Sequence, residues 1–77
     1  MPTGNILRAA RALAGLTSVE LAALARIDAS TVSRMESSGN KPVGGLAGTV
    51  DNVKRALEAK GIVFLDDGVR LVRKPRR

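Results

Sequence analysis

The stretch Thr17–Glu36, TSVELAALARIDASTVSRME, reads as two short helices joined by a tight turn. Thr17 is followed three residues later by Glu20, the spacing of a capping box in which each side chain satisfies an orphan N–H of the first turn. Val19, Leu21, Ala22, Leu24 and Ala25 recur at helical spacing and predict one apolar face. A break follows at Arg26–Ile27–Asp28, where Asp28 is a good N-cap for a second helix running from Ala29 to about Ser37. That helix offers chiefly Val32 and Met35 for burial, and the rest of it is small or polar. A helix this short cannot hold itself together, and this one has little apolar surface to anchor it. Such an open polar face is displayed for something, and it reads as a DNA-recognition helix.

Several features carry a resemblance in register. They are R-A-L-A-G-L-T at Arg11–Thr17, E-L-A at Glu20–Ala22, a small Ala22 at the helix crossing and a β-branched Val32. The second helix then closes on Arg34–Met35–Glu36, with Gly39 beyond. With these, residues 6–61 resemble the helix-turn-helix domain of phage Cro and cI repressors and of the xenobiotic-response-element class of bacterial regulators. The resemblance implies a mainly α, four-helix, lambda-repressor-like domain whose third helix enters the major groove. It also implies an ion pair between Arg11 and Glu36 and a loop after the recognition helix that follows the DNA backbone. Two positions depart from the family pattern. Ser18 stands where the family usually has a Gln that braces a phosphate or a neighbouring side chain. Arg26 replaces the usual turn glycine, so the turn must take a non-glycine residue at positive φ or adopt another geometry.

Size and composition bound the rest. Seventy-seven residues make one domain with a small core. Eleven of the apolar residues are Ala and the one aromatic is Phe64, so that core is thin and aliphatic, and dimerisation is a common remedy. Without Cys there is no disulfide or thiolate chemistry, and without His the commonest general base and metal ligand are missing. No apolar run approaches the roughly 18 residues of a membrane span and no signal peptide is visible, which predicts a cytoplasmic protein. The net charge of +6 favours a polyanionic partner. Five of the positive charges lie in residues 70–77, however, leaving +1 for residues 1–69. That tail is either a solubilising end or an arm that touches phosphates.

A first helix starts near Thr3 or Asn5 and ends at Ala14, with Gly15 just past it and Leu7, Ala10, Leu13 and Ala14 facing inward. Leu16 enters the core. Ser37–Pro42 is a loop, and its Asn40 and Lys41 suit phosphate oxygens. A fourth helix runs from about Leu46 or Thr49 to Lys60, with Leu46, Val50, Val53 and Leu57 as its stripe and Val43 and Ala56 as further apolar contacts. Ile62–Leu65 and Val69–Val72 flank Asp66–Asp67–Gly68, the pattern of a short C-terminal β-hairpin. Two parts follow: a helix-turn-helix domain over residues 1–61, and a β segment with a basic tail over residues 62–77.

No constellation supports catalysis. The acidic residues have no His or Cys beside them, Ser30, Thr31 and Ser33 have no base, and Gly44–Gly48 is not followed by the Lys-Ser/Thr of a phosphate loop. No enzyme, cofactor or metal is expected. The expected partners are double-stranded DNA and a second copy of the chain. Ala29, Ser30, Ser33 and Arg34 are the base-reading candidates, and Thr17, Ser18, Thr31, Asn40 and Lys41 the backbone contacts. Ile62, Phe64, Leu65, Val69 and Leu71 are the expected dimer surface, since a lone hairpin is marginal in water and exposes its edges. The function this describes is a small dimeric repressor on a two-fold operator. Two alternatives remain open: an antitoxin whose C-terminal segment holds a toxin, and an adaptor that no longer binds DNA.

Overall fold

The computed structural model describes residues 2–41 and 47–72. The expectations for Val43, Leu46 and the basic tail beyond Val72 fall outside those residues. Four helices are followed by a two-stranded antiparallel hairpin: α1 Gly4–Leu13, α2 Ser18–Ala25, α3 Ala29–Glu36, α4 Ala47–Ala59, β1 Ile62–Phe64 and β2 Val69–Leu71. This is the mainly α, four-helix architecture with a C-terminal hairpin that the sequence predicts.

Local chemistry sets the helix ends. The Thr3 hydroxyl accepts from the Ile6 N–H at 3.1 Å and starts α1. At its far end the Gly15 N–H donates to Ala12 and the Leu16 N–H to Arg11, a Schellman pair that satisfies two of the last carbonyls. The capping box of α2 is complete, with Glu20 N–H to Thr17 Oγ1 at 3.1 Å and Thr17 N–H to Glu20 Oε1 at 2.8 Å. Its exit repeats the Schellman pattern with Arg26 in the left-handed region, φ 60° and ψ 47°. The turn therefore keeps its geometry and takes a non-glycine residue. Asp28 holds the extended backbone of an N-cap, yet its side chain makes no capping hydrogen bond, so α3 starts without the side-chain cap its sequence offers.

The core lies where α2 packs on α3 and α4 and where α1 meets α3. Leu7, Leu21, Val32, Val53 and Leu57 are its largest fully buried side chains, each contributing about 1.5–3 kcal/mol. The apolar faces are narrower than their periodicity predicts. Val19 (67% exposed), Leu24 (49%) and Leu13 (44%) stand out of the core. An eight-residue helix wedged between two others buries a single stripe, here Leu21, Ala22 and Ala25, and its flanking positions face solvent.

The hairpin folds back on its own chain, with β1 against α4 and β2 against α1. Its register pairs Ile62 with Leu71, Val63 with Arg70 and Phe64 with Val69. Ile62 is buried, while Phe64 and Val69 are half-buried against the core, and the Lys54 ammonium sits 5.5 Å from the centre of the Phe64 ring. Gly61 makes the sharp junction from α4 possible. Its φ is 95°, and a Cβ there would run into the Val72 carbonyl, whose own N–H donates to Gly61 O at 2.7 Å.

Arg26 yields a test of the turn. A left-handed backbone costs an L-residue roughly 1–2 kcal/mol, and glycine returns about half of that as unfolded-chain entropy. Arg26→Gly is expected to raise stability by about 0.5–1 kcal/mol, read as a higher urea midpoint at unchanged slope. A midpoint that stays level or falls would show that the Arg26 side chain earns its place through contacts of its own.

Candidate nucleic-acid interface

Helix α3 turns Val32, Met35 and Glu36 inward and leaves Ser30, Ser33, Arg34 and Ser37 exposed. At spacings of three, four and seven these four form one continuous outward face. Thr31 is half-buried at its margin. Ala29 is half-buried as well and packs against the core, so only part of its methyl surface is turned outward. Arg34 is the one long cation of the face. The Ser37 hydroxyl donates to the Ser33 carbonyl at 2.8 Å, which closes the last turn and leaves the oxygen's lone pairs outward.

What holds this face in place is an ion pair at its far end. Glu36 is 4% exposed, the one charged residue among the buried set of the described residues. Arg11 on α1 grips it with two parallel bonds, Nε to Oε2 at 2.7 Å and Nη2 to Oε1 at 3.1 Å. This fork geometry is the strong form of a carboxylate contact. The third donor direction of Arg11 goes to the Leu16 carbonyl at 3.0 Å, so a single guanidinium ties α1, the turn into α2 and the end of α3. Its hydrogen bond to Glu36 raises the Arg11 pKa further above an already high value, and the group stays charged. Arg8 approaches the same carboxylate at 3.7 Å but remains mostly solvated. Two cations therefore share one anion, and the surplus positive charge sits beside the end of α3.

The loop after α3 is pinned to the start of α1. The Gly4 N–H donates to Lys41 O at 3.4 Å and the Asn5 N–H to Gly39 O at 2.9 Å. The Ser38 hydroxyl reaches Met35 O and Lys41 O. A Cβ on Gly4 would lie 2.6 Å from Glu36 O and 2.7 Å from Met35 O, so only glycine lets the two backbones approach this closely. Asn40 and Lys41 are exposed on this loop. At the other end of the motif, Thr17 is exposed and Ser18 half-buried at the start of α2. The Thr17 oxygen is engaged as the cap, and its O–H remains able to donate.

The sequence reading missed Gly4, Asn5 and Ser37. Ser37 was within reach of periodicity, since it stands seven residues after Ser30. Gly4 and Asn5 carry no local signal, because their partners lie more than thirty residues away. Among the described residues no three His, Cys, Asp or Glu gather to hold a metal. Among the same residues no helix is long and apolar enough to cross a membrane.

Residues 7–42, which run from the middle of α1 through the pinned loop, match the family model described as Helix-turn-helix. This segment belongs to the Cro/cI-type helix-turn-helix family. The domain is thus that of a DNA-binding transcription regulator. No curated protein matches the chain.

The buried ion pair makes its own test. Removing Glu36 leaves the part-buried Arg11 guanidinium without its fork partner, and breaking a buried pair commonly costs about 3–5 kcal/mol. An exposed helix-face change stays within about 0.5 kcal/mol. Glu36→Ala is therefore expected to lower the melting temperature steeply, while Glu58→Ala, on the solvated face of α4, leaves it nearly unchanged. Equal melting temperatures for the two variants would remove Arg11–Glu36 from the account of what positions α3.

Proposed function

We propose that this helix-turn-helix protein is a sequence-specific repressor acting in the cytoplasm as a two-fold dimer, each copy placing α3 in the major groove of one half-site. The carrying observation is the outward face of α3, four exposed polar or charged residues on a helix fixed from behind by Arg11–Glu36. Arg34 is the base reader with the longest reach, suited to a bidentate contact with guanine O6 and N7. Ser30 and Ser33 donate or accept at neighbouring base edges, and the half-buried Ala29 meets a thymine methyl with the surface left to it. Thr17, Ser18, Thr31, Asn40 and Lys41 serve phosphates.

One such helix reads too few base pairs to select a site, which is why domains of this kind work in pairs about one DNA turn apart. The hairpin supplies apolar surface for that pairing, though not through every expected residue. Ile62 is spent in the chain's own core, and Phe64 and Val69 largely so. What remains exposed is Val63, Leu65, Leu71 and Val72, and these are the residues proposed for the partner contact. The same patch supports a second reading, an antitoxin in which a different protein covers it. A neighbouring gene product that co-purifies in place of a second copy selects that reading.

Arg34→Ala tests the DNA assignment. It is expected to cost about 1–3 kcal/mol and to relax preference at one base position of a site selected from random DNA. Uniform weakening over all sequences would move Arg34 to a phosphate. Val63→Lys with Leu65→Lys tests the pairing. The double variant is expected to sediment as a monomer and to lose the stability that pairing contributes, with its melting temperature no longer dependent on protein concentration. A double variant that stays dimeric would place the interface elsewhere.

A further inference from the structure

The start of α1 accounts for its backbone donors in an unusual way. Thr3 satisfies the Ile6 N–H through its hydroxyl, and its carbonyl accepts the first intrahelical bond, from the Leu7 N–H. Gly4 and Asn5 donate to carbonyls of the loop after the recognition helix, at Lys41 and Gly39. A helix leaves its first four N–H groups without intrahelical acceptors, and here a distant loop takes two of them. This has a consequence for the loop. In a trans peptide the C=O and the following N–H point opposite ways. With Gly39 C=O turned to α1, the Asn40 N–H points away from it, and among the described residues it finds no backbone acceptor. The next carbonyl turned to α1, that of Lys41, precedes Pro42, which has no N–H to leave unpaired.

The Asn40 side chain is oriented to match. The Asn5 carboxamide donates from Nδ2 to Asn40 Oδ1 at 2.8 Å. The Asn40 oxygen is thereby occupied from the α1 side, and its NH₂ is left for other partners. Asn40 thus offers two outward donors, one from backbone and one from side chain, with its side-chain acceptor engaged. Donors without acceptors suit an anion. Lys41 follows directly on the same exposed loop.

We propose that Asn5 is a positioning residue for DNA binding: by holding Asn40 Oδ1 it makes Asn40 a two-donor contact for a single backbone phosphate. The assignment rests on the DNA reading above and adds to it a residue from the first helix that does not itself touch the nucleic acid. Asn5→Ala frees the Asn40 carboxamide to rotate. Asn5→Asp reverses it, because a carboxylate only accepts, so Asn40 must turn its NH₂ inward and present its oxygen to the phosphate.

The experiment measures binding of the full chain to a short mixed-sequence duplex as a function of salt. Asn40→Ala is expected to weaken binding about tenfold, the weight of one hydrogen bond to a charged group. Asn5→Ala should lose a part of that, and Asn5→Asp at least as much as Asn40→Ala. The double variant Asn5→Ala/Asn40→Ala should bind no more weakly than Asn40→Ala alone. Because neither residue is charged, the slope of log affinity against log salt should stay at its wild-type value in both alanine variants. Lys41→Ala should reduce that slope by about 1. Additive losses in the double variant, or wild-type affinity for Asn5→Asp, would overturn the proposal while leaving DNA binding intact. An Asn5→Ala variant whose lost affinity tracks a lowered melting temperature would reduce Asn5 to a structural role and overturn it as well. A wild-type chain that binds no duplex would overturn the DNA reading and this one together.

Discussion

Glu36 is the constraint around which the domain is arranged. It is a carboxylate out of water, and a buried charge is tolerated only when it is paired and hydrogen-bonded. Arg11 supplies the fork, and in doing so fixes the distance and angle between α1 and the end of α3. Helix α3 needs such an external brace. Eight residues with two apolar anchors, Val32 and Met35, do not define their own orientation. Since an ion pair of this kind is directional where apolar contact is not, it specifies one docking geometry among several that a thin aliphatic core would accept.

The other holding contacts are made by backbone, and they are possible because two residues lack side chains. Gly4 allows α1 to rest on the carbonyls that end α3, and Gly61 allows β1 to leave α4 directly against the end of β2. In a core built largely from Ala, Val and Leu, close approach of main chains substitutes for bulk. The fold thereby commits its few large side chains, Leu7, Leu21 and Leu57 among them, to the centre. The polar face of α3 contributes nothing to that centre and is free to be chosen for a partner.

Much of this was legible in the amino-acid order. Capping chemistry marked the start of α2, Gly15 the end of α1, Asp-Gly the hairpin turn, and helical spacing the stripe of α4, because each of these signals acts within a few residues. The outward position of Ser30, Ser33 and Arg34 followed from the same periodicity. What stayed hidden depends on contacts distant in sequence. Nothing near Val19 or Leu24 tells that their neighbours leave them in solvent, and nothing near Ile62 tells that the hairpin packs on its own helices. Asn5 finds Asn40 only after the chain has folded. Asp28 failed in the opposite sense: its side chain is of the right type at the right place, but a carboxylate on an exposed turn can remain with water instead of capping α3.

The packing of β2 against α1 joins the last described element to the first. In the chain α1 precedes β2 by the whole helical body. The helix–helix contacts span shorter separations in the chain, whereas this one closes a loop of some sixty residues, at an entropic cost that grows only slowly with length. The helical body can therefore assemble before the hairpin docks, and the side of α1 that β2 covers stays open until then. A chain with its hairpin undocked shows that side of α1, while a docked one does not. The hairpin thus acts as a clasp on the first helix.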